Sequence, residues 1–187
     1  KVDNVLVKNI TVLWRDGRSQ ESREIKLARL EAKAAAAGRI ALSFAATLAG
    51  QAVSGSGQVG AAELLAAAQP YPVNLDLQAA GAKIKVAGSV AKPLEGAGLD
   101  LKLEVAGQDL KALGAVLGVE LPLGGPYALE TGLKGSPAKL ALDGLALKLA
   151  GSDLAGSLKL DLSGPRPGVA GKLAANLIDL TPLLPKS

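Results

Sequence analysis

The chain has 187 residues, which fits one large domain or two small ones and is enough to bury a core. Its residues are 49% hydrophobic but only 2% aromatic, so Leu, Val and Ala replace the rings that usually anchor a compact core, and an extended, repetitive architecture is expected. The net charge of +4 comes from Lys and Arg scattered among Asp and Glu in no run longer than a pair, which excludes a nucleic-acid patch. With no Cys and no His, the chain lacks disulfides, thiol chemistry, Cys-ligated metal and the commonest general base.

The sequence opens on "KVDNVLVKNI" without a Met, a basic leader or the roughly 20 apolar residues of a membrane helix, and is expected to be a segment of something longer. "NVLVKNITVLW" has Ile10, Val12 and Trp14 at strand spacing, and "RDGRSQES" is a polar hairpin connection. Residues 24–31 mix helix formers with the alternating Ile25 and Leu27; a strand is expected there, with a looser Ala-rich turn after it. "RIALSFAATLAG" alternates through Ile40, Leu42 and Phe44. "SGSGQVG", residues 54–60, has no phosphate-loop spacing or context and is expected to be a hairpin or a loose tip. "AAELLAAA", residues 61–68, is expected to be helical and to end at "QPYP".

From residue 73 onward period-2 alternation dominates. Val73, Leu75 and Leu77 oppose Asn74, Asp76 and Gln78; Ile84 and Val86 oppose Lys83 and Lys85; Leu99, Leu101, Leu103 and Val105 oppose Asp100, Lys102 and Glu104. Leu145, Leu147 and Leu149, then Leu158, Leu160 and Leu162, repeat the scheme. Alternation of this kind marks antiparallel strands with one buried and one wet face, because parallel strands are covered on both. Between them "DLKALGAVLG", residues 109–118, spaces Leu110, Leu113 and Leu117 as on a helix behind a capping Asp109. An internal repeat relates residues 96–110 to 142–154 through Gly-Leu-x-Leu-Lys-Leu and Ala-Gly-x-Asp-Leu, and sub-repeats 1–95 and 96–187 are expected within a single β-rich segment.

The acids Asp76, Asp100, Glu104 and Asp161 stand singly among lysines, as on a solvated face with cross-strand charge pairs, and no catalytic dyad or metal set is visible. "SGPRPG" is expected to be a rigid turn; Arg166, held extended by Pro167, is the one residue there suited to meeting a phosphate.

Residues 144–184, "GLALKLAGSDLAGSLKLDLSGPRPGVAGKLAANLIDLTPLL", resemble the segment that recurs in the AsmA-like proteins of Gram-negative bacteria: two Leu-alternating strands around a Gly turn, an Arg-Pro, a Gly-x-Leu strand and a terminal Asp-Leu-x-x-Leu-Leu. "GQDLKALGAVLGVELPLGGPYALETGLKG", residues 107–135, resembles its companion, and "VLVKNITVLWRDGRS" the family's strand pair; residues 24–40, with a run of four alanines, match least. The resemblance implies a periplasmic segment of a protein anchored to the inner membrane by an N-terminal helix that this sequence lacks. It also implies kinship with TamB and the bridge-like lipid-transfer proteins, no enzymatic activity, no cofactor, and a role in moving phospholipid toward the outer membrane or supporting its biogenesis, with outer-membrane or periplasmic envelope proteins as further partners.

The fold expected is mainly β: an elongated, curved antiparallel sheet of about a dozen strands forming an open trough with an apolar interior, plus one or two short helices. Acyl chains would lie against Leu99, Leu101, Leu103, Val105, Leu145, Leu147, Leu149, Leu158, Leu160, Leu162 and Leu173, with Arg166 near a headgroup. The competing expectation is a β-sandwich with a dry core that scaffolds envelope assembly; a membrane β-barrel is disfavoured by the missing aromatic girdles.

Overall fold

Among the described residues each strand pairs only with its neighbours in sequence, so they run back and forth as one antiparallel sheet of eleven strands in the order β1 to β11. The computed structural model describes residues 4–15, 22–65, 69–117, 124–164 and 166–179. The strands are β1 (Asn4–Arg15), β2 (Ser22–Ala34), β3 (Ile40–Leu48), β4 (Gln51–Val59), β5 (Tyr71–Ala79) and β6 (Ala82–Lys92). They continue as β7 (Ala97–Gly107), β8 (Tyr127–Ser136), β9 (Lys139–Leu149), β10 (Ser152–Asp161) and β11 (Gly168–Ala174), with helix α1 (Leu110–Leu117) between β7 and β8.

Pairing register turns the alternation into one apolar face. Val7, Leu30, Phe44, Gly55, Leu77, Ile84, Val105, Leu129, Leu147 and Leu154 are successive partners from β1 to β10, a row with no polar side chain. The wet face carries the charges, with Lys102 bridging Glu104 on its own strand at 3.0 Å and Glu130 on β8 at 2.8 Å. Those two carboxylates, Glu130 first, raise the Lys102 pKa. Glu31 is likewise gripped by Lys33 at 2.6 Å and Arg29 at 2.7 Å, which lower its pKa.

Two bulges preserve the single apolar face. In β9 an extra residue, with Gly144 at φ +61°, lets Leu140 and Leu142 share a face with Leu145, Leu147 and Leu149 despite their opposite parity. In β2 Ala28 does the same between Leu30 and Leu27. Bulges of this kind bend a strand and increase its twist. On β6, Gly88 (φ +143°) sits so close to β7 that a Cβ there would lie 2.2 Å from the Asp100 carbonyl, a contact only glycine allows.

The sheet is open, and its strand content, antiparallel pairing and single helix agree with the expected trough. The β-sandwich is not found among the described residues, because no second sheet covers the apolar face. "SGSGQVG" is no tip: residues 54–59 form most of β4, where Gly55 leaves the space that Phe44 and Leu77 fill from either side. "AAELLAAA" forms only a short 3-10 turn at 62–65, with 66–68 outside the described residues. The 24–31 strand extends to Ser22–Ala34, a 3-10 turn at 36–38 follows it, and the expected hairpin connection 16–21 lies outside the described residues.

Candidate functional site

The apolar face gathers the predicted residues. Leu99, Leu101, Leu103 and Val105 of β7, Leu145, Leu147 and Leu149 of β9, Leu158 and Leu160 of β10, and Leu173 of β11 all fall on it by register. Leu101 pairs with Leu133, which pairs with Leu142, which pairs with Leu158, so leucines fill a second row across four strands. Leu162 differs: it lies beyond the end of β10, 44% exposed, with its N–H donated to the Ala138 carbonyl at 2.7 Å.

With a single layer of sheet, most of this face is half-buried. Burial peaks where α1 rests on it. Leu113 and Val116 of the helix are buried, and Leu113 joins Ala82 and Tyr127 in a cluster against which Ile84, Val105, Leu110 and Leu149 pack. Asp109 caps the helix as expected, accepting from the Lys111 N–H at 3.0 Å. Toward the edges the face opens to solvent, with Val12 on β1 45% exposed and Val169 on β11 65% exposed.

The polar interruptions of this face are few and each has a local cause. Thr131 on β8 is 1% exposed and faces the β9 bulge. Tyr71 and Tyr127 start β5 and β8, each after a Pro and a connector, and each packs over the glycine that follows or ends the preceding strand. A Cβ on Gly60 would lie 2.8 Å from the Tyr71 ring, and one on Gly107 would lie 2.6 Å from the Tyr127 hydroxyl. Burial raises both phenol pKa values, with the negative charge of Asp109 adding to the effect at Tyr127. The Tyr71 hydroxyl donates to the Gly60 carbonyl at 2.9 Å, whereas the buried Tyr127 hydroxyl has no partner.

At one end of β8–β11 a depression of about 530 Å³ is lined by Leu140, Leu160 and Val169 together with Lys134, Lys139 and Lys159. Arg166 is exposed in the β10–β11 loop and is not among its lining residues, and by register the lysines stand on the wet face, opposite the Leu140, Leu160 and Val169 side chains. Sequence reasoning did not single out these lysines, because each is one of many on the strands; the register sets Lys134 and Lys159 on either side of Ala141. Lys139 is held by Asp161 at 3.4 Å, and Ser163 and then Lys139 lower the Asp161 pKa.

The repeat diverges in space. Its first copy is β7 followed by α1, capped by Asp109; its second is β9 followed by β10, where Asp153 instead accepts hydrogen bonds from the backbone N–H groups of Asn176 at 3.0 Å and Leu177 at 2.7 Å. Among the described residues no group of three potential ligands is arranged to hold a metal, and no helix is long and apolar enough to cross a membrane.

No family model and no solved structure matches the chain. It is similar to the AsmA family protein YhjG of Escherichia coli (strain K12), 29% identical over 147 residues, a match covering 72% of this chain and 21% of that protein. The chain thus spans about a fifth of the length of the curated relative it matches. That similarity, set beside an open antiparallel sheet built from its Leu and Gly motifs, supports an AsmA-like assignment for the chain.

Proposed function

We propose that this chain is a non-enzymatic, lipid-handling segment of a periplasmic, inner-membrane-anchored protein of the bacterial envelope. Phospholipid acyl chains lie along the apolar face of the sheet and are held or conducted between inner and outer membranes. The observation that carries this reading is the uninterrupted apolar row from Val7 to Leu154, which crosses ten strands. At strand spacing it extends roughly 43 Å. A face of this size, which among the described residues only α1 covers in part, is a binding surface by ordinary physical criteria, since exposed apolar patches beyond a few hundred Å² mark interaction sites. An acyl chain fits it because the row is apolar throughout and lacks the hydrogen-bonding groups that would fix a polar ligand.

Organic extraction of the purified chain followed by mass spectrometry tests the reading. Phospholipid is expected with the wild type and lost from a folded Leu101→Asp/Leu147→Asp variant. Equal lipid in a folded double variant, or none in the wild type after reconstitution with phospholipid, would overturn it.

A further inference from the structure

We infer that the floor beneath α1 is a further stretch of the binding surface that the helix itself occupies, and that an acyl chain enters it by displacing Leu113. This rests on the lipid-handling reading and adds to it a gate. The floor is made of Ala82, Ile84, Val105, Tyr127 and Leu149, which continue the apolar face without a break. α1 covers that floor without being part of the sheet.

Two features make the covered state easy to leave. The helix has eight residues and a glycine, Gly114, in its middle, well short of what holds a helix alone in water, so its order depends on this one packing contact. Under it the Tyr127 hydroxyl is buried and unpartnered, while the hydroxyl of Tyr71 at the matching place after the other connector is satisfied by Gly60. Burying a hydroxyl without a partner disfavours the covered state by a factor of about five to a hundred relative to one in which water reaches it. Lifting α1 both solvates Tyr127 and bares the floor. The start of the helix remains attached, because the Leu110 N–H donates to the Gly125 carbonyl at 3.2 Å.

The full chain contains no cysteine, so a Leu113→Cys/Ala82→Cys pair provides its only thiols. Binding of cis-parinaric acid, a fluorescent fatty acid, is measured with the pair reduced and after oxidation or a short bis-thiol cross-link. Tyr127→Phe is measured alongside, and amide exchange in α1 is followed without ligand. The linked form is expected to bind at least about fivefold more weakly than the reduced form. Tyr127→Phe is expected to melt higher, to slow exchange in α1 and to bind about fivefold more weakly, since fewer molecules are open. Equal binding by linked and reduced forms, or by a more stable Tyr127→Phe and the wild type, overturns the gate while leaving the lipid reading intact. Failure of the wild type and the reduced pair to bind parinaric acid overturns the lipid reading and displacement by a ligand with it; exchange in α1 slowed by Tyr127→Phe would then leave only the opening of the helix standing.

Discussion

The hydroxyl of Thr131 on β8 lies 3.2 Å from the carbonyl of Asp143 on β9, across the bulge that breaks their ladder. The register shifts at this point, and the Thr131 hydroxyl, also 3.1 Å from the Gly132 carbonyl, reaches the bulge from a side chain that is 1% exposed. Thr131→Val keeps the shape and loses the donor. It is expected to destabilise the chain by about 0.5–1.5 kcal/mol in urea unfolding, the net worth of the hydrogen bond lost. Thr131→Ser, which keeps the donor, is expected to lose less.

Close approach of strands sets a second test. A methyl on Gly88 meets the Asp100 carbonyl at 2.2 Å, whereas one on Gly50, at φ +77° in the β3–β4 turn, meets nothing within 4 Å. Gly50→Ala therefore carries only backbone strain, about 1 kcal/mol. Gly88→Ala adds displacement of β7 to the strain of its own φ of +143° and is expected to cost clearly more, with the Leu101 and Leu133 neighbours shifting in methyl spectra. Equal costs at the two sites would mean that β6 and β7 separate freely at this point.

What the sequence carried and what it did not follow from where the information resides. Alternation at Leu99, Leu101 and Leu103 is written in one strand and was legible directly. The shared face of Leu142 and Leu145 was not, because their parity is opposite and only the bulge at Gly144 reconciles them. β4 was misread because its glycines and serines have weak strand preference; Gly55 is there to make room for Phe44 and Leu77, which are distant in sequence or on another strand. The 61–68 segment has helix-forming composition, yet it must connect β4 to the adjacent β5 within a few residues, and its described part, 62–65, is a 3-10 turn. At the site, the leucines were visible as a pattern, but nothing in the sequence singled out Tyr127, whose unpaired hydroxyl emerges only when α1 folds over it.

Acid is expected to release the segment after β11. Asp153 accepts from the backbone of Leu177 and Asn176 and from the Asn176 side chain at 3.2 Å, and these bonds, Leu177 first, hold its pKa below the ordinary 3.8. A carboxyl whose folded pKa is depressed stabilises the fold above its unfolded value and loses that contribution as pH falls through the folded one. Protection of the Leu177 amide should therefore be constant from neutral pH down to about 3.8 and fall below it. Asp153→Asn should show weak protection at every pH. A Leu177 amide equally protected at pH 7 and pH 2 would show that the carboxylate does not hold this segment.

The two tyrosines give predictions of opposite sign from the same substitution. Tyr71 and Tyr127 each follow a proline, start a strand after a connector and pack over a glycine, but only Tyr71 has a partner, the Gly60 carbonyl at 2.9 Å. Tyr71→Phe removes that donor and leaves the buried Gly60 carbonyl short of a hydrogen bond, so it is expected to lower stability by about 0.5–1.5 kcal/mol. Tyr127→Phe removes a hydroxyl that has no partner to lose and is expected to raise stability. Nearly identical ring burial, 7% and 6% exposed, cancels the packing contribution, so the difference between the two variants isolates the hydroxyl environment. Thermal melts of both variants check this, and a loss of stability in both would show that the Tyr127 hydroxyl is satisfied in solution by water reaching it beneath α1.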